Sequence, residues 1–239
     1  MSKRVRFFIG HLSISFVFIL LLALLIFLVW FIPPLGKATG ILPIFAMLIV
    51  IDLFIGPLLG FLVYKEGKKT LKFDLSVVIL LQISLFIYGS HIIAQARPAW
   101  IVFNSGLMDV VQAFEISTQN IEKAKPEFQK IPWFYPKFSA VKPLPNSENI
   151  IELQSGMSVV QKPERYISLD EAKIQLQSHA KPLNQLNVYN DKQLVEKTLA
   201  QYPQADAFIP LKANTLNMTV LLNKKNGQII KIVDLRSLN

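Results

Sequence analysis

The chain has 239 residues, of which 17% are charged and 52% hydrophobic, with a formal net charge of +9. It contains no cysteine, which excludes a disulfide scaffold, a thiol nucleophile and a thiolate metal site. The positive charge is not gathered into a basic stripe interleaved with aromatics, so a nucleic-acid-binding surface is excluded as well.

Three long apolar segments come first. Residues 7–32 contain no Asp, Glu, Lys or Arg, residues 38–64 contain only Asp52, and residues 75–96 contain none. A helix needs roughly 20 apolar residues to cross a bilayer core, so each segment is predicted to span one, and residues 1–96 form a transmembrane domain. The first segment is too long for the h-region of a signal peptide and no small-x-small cleavage site follows it, which predicts an uncleaved anchor. Pro33-Pro34-Leu35-Gly36 predicts a tight turn into the second span.

The basic residues alternate across these spans. Lys3, Arg4 and Arg6 precede the first, and Lys65, Lys68, Lys69 and Lys72 lie between the second and third. Lys37 stands alone between the first and second, and Arg97 alone just after the third. Basic flanks favour the cytoplasm, so the N-terminus is predicted inside and everything after Ala96 outside. The loop from Lys65 to Lys72 is then a topology determinant that can also meet anionic lipid headgroups.

Asp52 is the sharpest single feature. It sits about halfway along the second span, where an acid costs about 2.5–3.5 kcal/mol to insert and therefore faces a bundle interior. Gly56 and Pro57 follow one turn later. The third span carries Ser84, Tyr88, His91 and Gln95 on one helical face, and counting inward puts Ser84 and Tyr88 near the depth of Asp52. Three uses stay open: a hydrogen bond between helices, a contact with another membrane protein, and proton transfer.

Residues 97–239 are predicted to form an exported α+β domain with an antiparallel sheet. Trp100–Phe103 reads as a strand, Asn104-Ser105-Gly106 as a turn, and Leu107–Ile116 as a second strand. Trp100 is expected at the outer membrane interface, where aromatics are favoured. Pro126, Pro132, Pro136, Pro143 and Pro145 make the next stretch irregular, with Trp133, Phe134 and Tyr135 inside it. Those aromatics suit packing on the domain or the membrane surface, or a partner. Ser168 and Glu171 form a capping box opening one helix, and residues 191–201 make a second, ending before Pro203. Residues 208–211, 218–222 and 229–235 are strands, the last two joined through Asn226-Gly227.

His11, His91 and His179 are scattered, so no metal site is expected. No nucleophile-elbow, zinc-peptidase or phosphate-loop pattern occurs, and the expectation is a non-catalytic protein without a cofactor.

Two blocks carry a resemblance. One runs Ile51-Asp52-Leu53-Phe54-Ile55-Gly56-Pro57-Leu58-Leu59, then Val63-Tyr64-Lys65-Glu66-Gly67-Lys68-Lys69, Leu71-Lys72-Phe73-Asp74-Leu75 and Leu81-Gln82. The other is Arg97-Pro98-Ala99-Trp100-Ile101-Val102-Phe103. With the closing Ile232-Val233-Asp234-Leu235-Arg236, the chain resembles the TfpX/TfpZ family of type IV pilin accessory proteins. Glu66 stands where that family's pattern has proline. The resemblance implies a bacterial inner-membrane protein, periplasmic in its C-terminal domain, that acts as an accessory factor or chaperone for a type IV pilin. Its partners would be membrane lipids and the pilin's apolar N-terminal helix, with no catalytic residues to carry over. Asp52, Gly56 and Gly60, at i, i+4 and i+8, would then offer a polar anchor and a small-residue ridge to that helix. Another class also stays open, a membrane-anchored envelope sensor or ligand-binding protein; a small proton-coupled transporter is weaker, since no internal repeat is visible.

Overall fold

A computed structural model describes residues 1–143 and 158–238, so Pro145 lies outside the described residues. The chain forms two compact units: Met1–Ile32 with Ile41–Ala96, and Pro33–Gly40 with Arg97–Asn239.

The first unit is helical. Helix α1 (Lys3–Leu25) runs on through a π-helical segment, Ile26–Trp30. The second long helix is composite: α3 (Ile41–Ile49), a π-helical segment Val50–Ile55, and α4 (Gly56–Val63). Helix α5 spans Leu71–Gln95. The short α2 (Leu35–Thr39) belongs to the other unit. The three long helices, Lys3–Trp30, Ile41–Val63 and Leu71–Gln95, are long and apolar enough to cross a membrane. At 1.5 Å per residue even the 23-residue second helix covers a core of about 30 Å. Large apolar side chains such as Leu28, Leu62 and Leu80 point outward, as a helix surrounded by lipid requires.

The second helix changes pitch for a chemical reason. Pro57 has no N–H, and its ring collides with a carbonyl one turn back. The turn before it widens, so that the Gly56 N–H bonds the Ile51 carbonyl, five residues earlier. Ser15, Ile19 and Leu22 of α1 are buried in this unit, with Ile26, Ile41, Phe45, Leu48 and Ile93 forming its apolar centre.

The second unit is α+β. Strands β1 (Pro98–Asn104) and β2 (Leu107–Gln112) form the expected hairpin, turning at Ser105 and Gly106, both with positive φ. Next come β3 (Lys137–Val141), β4 (Tyr166–Ile167), α6 (Lys173–His179) and β5 (Lys181–Pro182). The chain continues with α7 (Lys192–Leu199), β6 (Ala207–Lys212), β7 (Met218–Asn223) and β8 (Gln228–Val233). The sheet order is β4-β3-β1-β2-β6-β7-β8, with β5 on β6.

The sheet is mixed, which corrects the expectation of an antiparallel one. β1 pairs with β3, and β2 with β6, in parallel. Each parallel partner is reached only after a long connection, as parallel pairing demands. The sequence reading saw hairpins, which are local, and missed β3, which forms in the proline-free stretch between Pro136 and Pro143.

Both helices fall near their predicted positions, with small shifts. The Ser168–Glu171 box closes on both sides (Glu171 N–H to Ser168 Oγ, 3.2 Å; Ser168 N–H to Glu171 Oε1, 3.1 Å), and the helix proper starts two residues later. Asp191 caps α7 by accepting from Gln193 and Leu194. β1 is buried on both faces, so Trp100 is 1% exposed and packs edge-to-face on Phe128 and Tyr166, each at 5.5 Å. That corrects the interfacial placement of Trp100: a central strand needs apolar residues on both sides, and its aromatics fill the core.

Candidate functional site

Asp52 lies in the widened turn of the second helix and is 2% exposed. Its backbone and its side chain have different fates. In the i to i−5 register, a residue at 57 would donate to the Asp52 carbonyl, and Pro57 cannot. The Gln82 amide of α5 donates to that carbonyl at 2.8 Å, and the same nitrogen donates to Ser15 Oγ of α1 at 2.9 Å. One amide thus ties the three long helices together. Gly56 makes this possible: a Cβ there would stand 2.1 Å from Gln82 Oε1.

The Asp52 carboxyl takes no part in this link. Neither of its oxygens has a hydrogen-bond partner among the described residues. It lines an apolar groove of about 610 Å³ whose walls are α1 (Ile14, Phe18) and α5 (Ile79, Ile83, Ile87). Phe18 and Phe86 meet edge-to-face across it at 5.9 Å. Arg6 and His11 also line it. An unpaired buried acid in an apolar channel is a costly arrangement, and such intramembrane acids mark functional positions.

The structure brings together Asp52, Gly56, Pro57 and Gly60 with α1 and α5, but not as an open ridge. Gly56 is covered by Gln82, and a Cβ on Gly60 would stand 3.0 Å from Phe7 and 3.1 Å from His11. The small residues let the protein's own helices close, and the opening that remains is the groove between α1 and α5. Ser84 and Tyr88 are not beside Asp52. Ser84 Oγ donates to its own helix at Leu80, and Tyr88 is exposed. Gln82, two residues before Ser84, is turned roughly 200° away from it and faces inward. Sequence reasoning missed Ser15 and Gln82. The available signal was that Gln82 is the one amide at mid-depth in any of the three apolar segments.

The basic residues predicted to set topology are exposed: Lys65, Lys68 and Lys69 between α4 and α5, and Lys72 in the first turn of α5. Lys68 pairs with Asp74 at 2.6 Å. Arg97 is buried in the second unit, where its Nη2 donates to the Pro132 carbonyl at 3.1 Å and its guanidinium lies 4.4 Å from the centre of the Trp133 ring. In that unit burial raises the Asp109 carboxyl above its ordinary range, offset in part by Lys212. No group of three His, Asp or Glu side chains suited to a metal occurs among the described residues.

No family model and no solved structure matches the chain. Three curated proteins of Dichelobacter nodosus do. The fimbrial assembly proteins of serogroup E1 and of serogroup I are each 30% identical over 237 residues, covering 94% of this chain and 92% of theirs. That of serogroups C1 and C2 is 34% identical over 116 residues, 48% of this chain and 88% of its own length. Similarity of that extent, over both the helical and the α+β units, shows that the chain belongs to the fimbrial assembly protein family.

Proposed function

We propose that this protein is a non-catalytic accessory factor, or chaperone, for a type IV pilin in the bacterial inner membrane, of the TfpX/TfpZ kind. The N-terminus lies in the cytoplasm and the α+β unit in the periplasm, in keeping with the basic flanks of the helices. The groove between α1 and α5 receives the pilin's apolar N-terminal helix before that subunit is assembled, and Asp52 supplies the polar contact.

The observation that carries this reading is the unpartnered, buried Asp52 carboxyl in an apolar groove of a fimbrial assembly family member. Apolar side chains of an incoming helix would cover Ile14, Ile83 and Ile87, and a donor or cation on that helix would satisfy the acid. Photo-crosslinking amino acids at Ile14 and Ile83 test it in cells that make pili. They should capture pilin, whereas the same probe at the outward-facing Leu62 or Leu80 should not. Capture of pilin from the α+β unit, with none from the groove, would move recognition out of the helices.

A further inference from the structure

The second unit has one end marked by the chain itself. Residues 33–40 link two apolar helices, and Arg97 follows a third. Hydrogen bonds inside the unit bring these points together. The Ala38 carbonyl accepts from Thr215 and Leu216 (2.9 and 3.1 Å), and Asn214 donates to Gln112 at 2.6 Å. Gln112 is paired with Pro98, and the Ala113 N–H bonds the Arg97 carbonyl at 2.9 Å.

Four large aromatics are displayed at this same end. Phe114 follows Ala113 directly. Trp133, Phe134 and Tyr135 follow Pro132, whose carbonyl Arg97 holds. They are 59%, 53%, 63% and 57% exposed, whereas Trp100, Phe103, Phe128, Tyr166 and Phe208 of the same unit are buried and Tyr189 is 37% exposed. Lys130 and Lys137 flank the triplet and are exposed. Pro132 and Pro136 bracket it, so the chain holds the rings out at little further cost in entropy.

We infer that Phe114 and Trp133-Phe134-Tyr135 form an aromatic apron that inserts into the lipid headgroup region, with Lys130 and Lys137 meeting lipid phosphates. A patch of this kind facing water would be unfavourable. Placed where three chain crossings reach the bilayer, it gains the interfacial position that tryptophan and tyrosine favour, and lysines beside it are drawn to anionic lipid. The occupant is the bilayer rather than a protein, because the covalent tethers at residues 33, 40 and 97 hold this end against lipid whether or not a partner is present. The inference stands independently of what the groove binds.

The test uses the full chain reconstituted alone in phosphatidylcholine vesicles with some phosphatidylglycerol. The chain has three tryptophans, and Trp133→Phe leaves two of them. The fluorescence lost in that variant is the Trp133 component. Bromines on the lipid chains near the headgroup should quench it strongly, bromines near the chain ends less, and aqueous iodide little. As a second measurement, Tyr135→Cys provides a lone thiol, with Ser105→Cys at the opposite end of the β1–β2 hairpin as its control. In vesicles a water-soluble maleimide should label residue 135 far more slowly than residue 105. A Trp133 component quenched by iodide and untouched by brominated lipid, or equal labelling at both thiols, would overturn the apron and leave the patch to a protein partner.

Discussion

Gly56→Ala sets the Gln82 link against its own space. The new methyl would stand 2.1 Å from Gln82 Oε1 and 2.7 Å from Nε2, so the flexible amide must swing aside. That breaks its bonds to the Asp52 carbonyl and Ser15 Oγ. Hydrogen bonds between membrane helices average about 0.6 kcal/mol and reach about 1.7, so losing two should cost about 1–3 kcal/mol. Gln82→Ala loses the same bonds and leaves room at position 56. On that background the three atoms nearest the new methyl are gone, and Gly56→Ala should show chiefly the intrinsic gain of alanine over glycine in a helix, about 0.5–1 kcal/mol stabilising. The substitution therefore changes sign between the two backgrounds. Unfolding the purified protein by titrating dodecyl sulfate into mild-detergent micelles, followed by helical circular dichroism, completes the double-mutant cycle. A Gly56→Ala variant as stable as wild type, or as damaging without Gln82 as with it, would refute the link.

Asp52→Leu removes a carboxyl without a hydrogen-bond partner, so protein level should hold or rise, while surface piliation scored by electron microscopy should fall; Asp52→Asn separates charge from polarity in the same assay. Lys125, 2.6 Å away, and then Ser168 hold the Glu171 carboxyl down to about 2 from its ordinary value of 4.5. Because the folded state holds the proton less tightly, this contribution to stability is present above about pH 4.5 and is lost as pH falls toward 2. Glu171→Gln should therefore lower the melting temperature slightly at neutral pH and converge with wild type as pH falls toward 2, flattening the melting-temperature-against-pH curve between about pH 4.5 and 2. A reporter active only in the periplasm should be silent when fused after Lys69 and active after the C-terminal residue; activity at Lys69 would reverse the proposed orientation.

What the sequence made legible were features that depend on neighbours along the chain. The three apolar helices, the β1–β2 hairpin, the Ser168–Glu171 box and the β7–β8 hairpin each follow from a run, a turn dipeptide or a capping residue. Parallel pairing of β1 with β3 depends on where the chain returns after residues 113–136, and no local signal encodes that. In the site, azimuth around a helix was not readable, because a π-helical turn at Val50–Ile55 shifts the register and because Gln82, rather than the Ser84 and Tyr88 stripe, faces inward. Trp100 shows the same limit: an aromatic close after a span suits the interface until a sheet closes over it.

The connection between the first two long helices is part of the α+β unit: Lys37 pairs with Asp234 at 2.7 Å, and the Ala38 carbonyl caps the backbone at Thr215 and Leu216. These contacts join residues 177–197 positions apart, so that unit is assembled from two pieces of chain made far apart in time. During synthesis the early piece must wait, threaded between two helices, for the last strand to arrive. Expressing residues 97–239 alone would yield a sheet missing a cap. Supplying residues 1–96 as a separate polypeptide should restore it, and the two fragments would then behave as halves of one folding unit rather than as an anchor and its cargo.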